Sequence, residues 1–116
     1  MFARLGVVAL LALLAAACAT GAAAPEPVTL AELVADEERY DGRVVLTEGI
    51  VRTHDAPRHF WIEDDDLHRV ELVPQEEVAD LVGQDVRVVG RFSFADDRGR
   101  VIELDELDVL TDRPTT

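Results

Sequence analysis

The 116-residue chain contains one cysteine, one serine, one tryptophan and no lysine, and each shortage removes a class of chemistry. With Cys18 alone, no intramolecular disulfide can form and no second thiol is left to serve as a nucleophile. The one serine, Ser93, lies between Phe92 and Phe94 with no Gly-x-Ser-x-Gly around it. It therefore reads as a strand residue, not as a hydrolase nucleophile, which needs a base and an orienting acid beside it. Without lysine there is no Schiff-base chemistry, and no glycine-rich loop is present to cradle a phosphate. No apolar run reaches the about 20 residues that cross a bilayer. Positive charge is also scarce: 11 basic side chains, all arginine, face 24 acidic ones, for a formal net charge of −13. Such a surface repels nucleic-acid phosphates over most of its area, and the length leaves no room for a two-domain enzyme with a large cleft. The chain reads as a binding protein without a cofactor, not as an enzyme.

What apolar content there is divides unevenly. Fifteen of the first 17 residues are apolar, against 41 of the remaining 99, the latter an ordinary proportion for a soluble domain. Met1 to Arg4 form a positively charged start, and Leu5 to Ala17 an uncharged stretch of 13 residues, the length of a secretory h-region. The stretch ends in Leu14-Ala15-Ala16-Ala17-Cys18. This resembles the lipobox of bacterial lipoprotein signal peptides, with Ala15 where leucine is commoner. The resemblance implies cleavage before Cys18, lipidation of that cysteine, and a mature chain held on a membrane without spanning it. A plain signal peptide cut at the alanines is the competing reading. Ala19 and Thr20 are not the aspartate that the resemblance associates with inner-membrane retention, which points to the periplasmic face of the outer membrane in a diderm cell. The expected division is a signal peptide over 1–17, lipidated cysteine and flexible tether over 18–28, a folded domain over 29–112 and a tail over 113–116. The tether, rich in alanine and proline, would reach about 35 Å if fully extended.

Within the domain, Thr29-Leu30-Ala31-Glu32 has the form of a capping box and opens a short helix with Leu30, Leu33 and Val34 on one face. After Asp41-Gly42 the pattern turns to strand chemistry, Arg43 to Arg52. Gly42-x-x-Val45-x-Thr47-x-Gly49-x-Val51 returns as Gly83-x-x-Val86-x-Val88-x-Gly90-x-Phe92. A glycine seven residues into each strand weakens pairing unless the chain bends or bulges there, as small coiled barrels require. Between these halves lie two short strands, His59 to Glu63 and Arg69 to Val73, joined by the turn Asp64-Asp65-Asp66-Leu67. Pro74 to Val82 is expected to form a helix, with proline at its first position, Val78, Leu81 and Val82 as its apolar face and Gly83 as its stop. A last hairpin turns at Asp96-Asp97-Arg98-Gly99.

The order helix, three strands, helix, two strands is that of an all-β, five-stranded Greek-key barrel, the OB-fold. The chain also resembles that superfamily in its motifs: Val45-x-Thr47-x-Gly49-x-Val51, Phe60-x-Ile62-x-Asp64 and Val86-x-Val88-x-Gly90 look like its first, second and fourth strands, over roughly residues 30–110. Another small barrel or an SH3-like roll is the alternative.

Period-2 alternation places Phe60 and Ile62 inside and His59, Trp61 and Glu63 outside. Trp61 then stands where the resemblance places oligonucleotides or oligosaccharides, with Arg52, Arg58, Arg98 and Arg100 supplied from the flanking loops and Arg69 from the third strand. An aromatic platform ringed by arginines can stack a base or a sugar. The competing reading has Trp61 cover the barrel seam or pack on the first helix. His54 and His59 flank one loop and, with Asp55, form a conceivable transition-metal set. The run Glu63-Asp64-Asp65-Asp66 near His68 lacks EF-hand spacing and reads as a solvated turn. The expectation is an envelope lipoprotein whose partner is an envelope protein or a small polar ligand, with nucleic acid disfavoured on charge. The alternatives are an oligosaccharide or single-stranded nucleic-acid binder of the ordinary OB type, and a small metal-binding accessory protein.

Overall fold

The threonine at the head of the domain does what its spacing suggests. Thr29 Oγ1 accepts from the Glu32 amide at 3.0 Å and Glu32 Oε1 accepts from the Thr29 amide at 2.8 Å, closing a reciprocal cap on helix α1, Leu30–Ala35. Leu30 and Leu33 point into the core, and a second short helix, α2 (Glu37–Tyr40), buries Tyr40. These elements belong to a computed structural model that describes residues 24–110. The signal segment, Cys18, most of the tether and the tail over 113–116 lie outside the described residues, and among the described residues no helix is long and apolar enough to cross a membrane.

Six strands follow the expected order with one addition. β1 (Glu26–Pro27) is a two-residue strand that pairs in parallel with Val45 and Leu46 of β2 (Val44–Asp55). Residues 26–28, which composition assigns to the flexible tether, are thus docked on the domain: the Val28 amide donates to the Leu46 carbonyl, and Arg43 pairs with Glu26 at 3.2 Å. β3 (Arg58–Glu63), β4 (Arg69–Val73), β5 (Asp85–Ala95) and β6 (Gly99–Val109) complete the sheet. Its order is β1-β2-β3-β4-β6-β5, and a further pairing of β2 with β5 closes the five long strands into the OB barrel.

β2 can serve two neighbours because it turns between them. From Val44 to Ile50 it pairs with β5, and from Ile50 to Asp55 with β3. Gly49 stands at the change of partner, where a Cβ would come within 3.0 Å of Leu30 Cδ1 and meet Ile62 Cβ. Gly90, its counterpart in the second half, sits at a register shift of the β5–β6 ladder, where a Cβ would collide with the Glu103 carbonyl. Both repeated glycines therefore mark corners of the barrel. The core is the inward set of β2 to β6, with Val45, Val51, Phe60, Ile62, Val70, Leu72, Val86, Val88, Phe92 and Ile102 all nearly or fully buried.

The segment over Pro74 to Val82 corrects the expectation of a helix. It forms two single 3-10 turns, Gln75–Glu77 and Ala79–Leu81, held by bonds such as the Val78 amide to the Gln75 carbonyl and the Leu81 amide to the Val78 carbonyl. Of the expected apolar face only Val78 is buried, while Val82 is 45% exposed. One fully buried side chain, with Ala79 and Leu81 only partly buried against the core, does not offset the cost of nucleating an α-helix, and 3-10 turns also reach farther, about 2.0 Å per residue against 1.5 Å, between the ends of β4 and β5.

Candidate functional site

The alternation of β3 puts Phe60 and Ile62 inside the barrel and leaves His59, Trp61 and Glu63 on its outer face. β4 lies alongside, with Trp61 opposite Glu71 and Glu63 opposite Arg69, so Arg69 and Glu71 share that face. The Trp61 indole is half-buried and fixed by its Nε1, which donates to Glu63 Oε1 at 3.0 Å. Glu63 also accepts from Arg52 Nε at 3.3 Å, so one carboxylate orients both the indole and the arginine of the neighbouring strand. The Arg69 guanidinium carbon sits 4.9 Å from the indole centroid, and the His59 ring lies 5.0 Å away at a tilt of 40°. Along β3 these two flank Trp61 from opposite ends, since His59 precedes it and Arg69 lies across from Glu63 beyond it. His54 continues the row, its ring 6.2 Å from that of His59 and edge-on to it. The indole is therefore the middle member of a row of flat groups and not an open platform, nor does it simply cover a barrel seam.

A pocket of about 150 Å³ opens beside this row, lined by His59, Trp61, Arg69 and Glu71 and, from the β5–β6 hairpin, by Arg98, Gly99 and Arg100. Of the arginines expected around Trp61, the structure brings in Arg52, Arg69, Arg98 and Arg100 but not Arg58. Arg58 falls on the strand face of Phe60, its guanidinium carbon 5.3 Å from that ring, and helps line a separate cavity at the barrel end with Pro74 and Gln75. Arg100 has a structural duty: its Nε donates to the Arg69 carbonyl at 3.0 Å and its terminal nitrogen to Glu37 Oε2 of α2 at 2.5 Å. Arg98, at the hairpin turn, makes no side-chain hydrogen bond or ion pair among the described residues.

The metal reading does not assemble. His54 and His59 face each other across the β2–β3 ladder, but Asp55 is the next residue along β2, and successive strand side chains point to opposite faces. No group of three or more histidine, cysteine, aspartate or glutamate side chains among the described residues could hold an ion. His59 Nδ1 instead lies 3.6 Å from Glu71 Oε1. In the acidic β3–β4 turn, Asp64 organises the loop: Oδ1 accepts from the amides of Asp66 and His68, each at 2.9 Å, and Oδ2 lies 2.9 Å from His68 Nδ1. Burial of Asp64 opposes its ionisation, but the His68 side chain, the two amides and the nearby imidazole outweigh it and hold the carboxyl below the ordinary aspartate range.

Glu37 and Gly99 are site residues the sequence did not reveal, whereas Glu71 was expected on this surface as a carboxylate opposing nucleic acid. Alternation in β4 is what puts Glu71 beside Arg69; Glu37 has no local signal, since it lies 63 residues from Arg100.

No family model matches the chain, and no curated protein matches it. Solved structures do. A chain of the S. pombe Stn1-Ten1 complex superposes with a TM-score of 0.56 at 13% identity, covering 80% of this chain and 83% of that one. U. maydis Replication protein A bound to single-stranded DNA gives 0.54 at 20% identity, over 79% and 78%. A putative aspartyl-tRNA synthetase from Leishmania major Friedlin gives 0.53 at 12% identity, over 84% of this chain and 23% of that one. These likenesses support the OB architecture. They also overturn the expectation of an envelope-protein or small-polar-ligand module with nucleic acid disfavoured, because one of the matched chains was solved on single-stranded DNA. The physical fault in that expectation is that net charge averages over the whole surface. At physiological salt charges act over about 8 Å, and at the pocket Arg69, Arg98 and Arg100 stand against Glu71 and the Glu37 that pairs with Arg100.

Proposed function

We propose that this domain binds single-stranded nucleic acid through the outer face of β3, β4 and β6. The observation that carries the proposal is the juxtaposition, around one pocket, of the His59, Trp61 and Arg69 planes with the unpaired guanidinium of Arg98. Flat faces stack on any base, and arginine planes do so as well as aromatic rings, while an unpaired guanidinium takes a phosphate oxygen. The likeness to Replication protein A on single-stranded DNA supports the same reading. Full-length protein titrated into labelled single-stranded oligothymidylate should give a saturable rise in anisotropy. Trp61→Ala, which removes the group that His59 and Arg69 flank and so disrupts the row offered to a base, should weaken binding roughly tenfold or more. The absence of saturable binding by the wild-type chain would refute the proposal.

Residues 1–20 support a separate proposal, export with lipid attachment at Cys18, through the small-residue run before that cysteine. Radiolabelled palmitate should enter the wild-type chain and not Cys18→Ala; equal labelling of both would contradict it.

A further inference from the structure

Resting on that reading, we infer that the site takes a single nucleotide unit, either a free mononucleotide or the phosphorylated end of a strand, and is not a track for a continuous strand. The first argument is size. The pocket is a shallow depression of about 150 Å³, where ordinary small-molecule pockets run from about 300 to 1,000 Å³. It has room for one ring or one phosphate against the Trp61 row.

The second argument is charge. Of the three guanidinium groups at the pocket, Arg100 is matched by Glu37, which leaves Arg69 and Arg98 against the one carboxylate of the lining, Glu71. That local surplus is enough for one phosphate group and not for a run of them, and the two guanidinium groups can both donate to a single terminal phosphate. A strand continuing out of the pocket would meet carboxylates on each side. Asp96 and Asp97 occupy the β5–β6 turn, Glu63 and the Asp64 to Asp66 turn lie along β3, and Glu103 and Asp105 are exposed along β6. Beyond the pocket, Arg52 is already paired with Glu63, and Arg91 of β5 lies across from Glu103 and donates to the Gly42 carbonyl. Track-type OB domains rely on a continuous positive groove covering about 4 to 16 nucleotides. Here the positive ground ends at one pocket.

The test uses the full-length chain and the fluorescence of Trp61, its only tryptophan. Four probes are compared: thymidine 5′-monophosphate, 5′-phosphorylated and unphosphorylated trithymidylate, and a phosphorylated twelve-residue oligothymidylate. The inference expects the phosphorylated trimer and twelve-mer to bind within about threefold of each other, with log–log salt slopes of about −0.7 to −1.4, the release from one or two phosphate charges. Arg98→Ala should weaken both at least tenfold. Monophosphate as tight as the phosphorylated trimer assigns the site to free nucleotide; a trimer at least tenfold tighter than both monophosphate and unphosphorylated trimer assigns it to strand ends. Tightening of more than tenfold from three to twelve residues, with a slope steeper than about −2.5, would overturn the single-unit inference and leave the nucleic-acid reading intact. No saturable change with any probe overturns both.

Discussion

At the scale of the residue, the arrangement around Trp61 depends on which side chains already have partners. Glu63 holds the indole and Arg52, and Glu37 holds Arg100, so the free positive charge comes down to Arg69 and Arg98. Arg58 is instructive, because the alternation that puts Trp61 outside also puts Arg58 on the inner side with Phe60. Its exclusion from the site was legible in the same pattern that found the tryptophan. Two residue-scale predictions follow from packing and titration. Gly90→Ala should destabilise the domain by about 3 kcal/mol, the upper range for overpacking against backbone, read as a shift in the urea midpoint. Asp64 has a folded-state pKa below its unfolded value, so its bonds add stability that is present at neutral pH and lost as pH falls through the depressed value. Asp64→Ala should therefore cost about 1–2 kcal/mol at pH 7. The difference from wild type should begin to shrink below about pH 4, where the aspartate of the unfolded chain protonates, and disappear once pH falls through the lower folded-state value.

Elements behaved according to whether their local signals were sufficient. The capping box at Thr29 is complete within four residues, and the helix begins where it says. Thr29→Ala should cost about 1 kcal/mol in chemical unfolding with the slope of the transition unchanged. The Pro74 to Val82 segment shows the opposite case. Its apolar spacing fits a helix, yet what decides its form is the gap between β4 and β5 and the presence of one buried anchor, Val78. β1 was hidden for a related reason: two residues, one of them proline, carry no periodic pattern, and only the open edge of β2 makes them a strand.

For the whole molecule, the −13 charge and the arginine-lined pocket are compatible because they act over different distances. The pocket attracts locally, while the rest of the surface confines what can extend from it. The same excess of carboxylates repels itself in the compact state. Screening should relieve this: the urea midpoint at pH 7 should rise when sodium chloride is increased from 10 mM to 500 mM, and a fall would show that attractive pairs such as Arg100–Glu37 and Arg87–Glu48 outweigh the repulsion.

The sequence by itself determined the barrel. Strand alternation, the two glycines at equivalent corners and the order of elements are local signals that fit an OB sheet, and the pairing of β2 with β5 in the folded chain is what closes it. It also determined that Trp61 faces outward, since one strand's alternation settles that. Tertiary structure alone decided what surrounds the indole. Which arginines are free depends on partners as far apart in sequence as Glu37 and Arg100, and on a register that sets Arg69 across from Glu63. Charge counts along a chain carry no information about such pairings, because the distance that matters to a phosphate is measured across the folded surface.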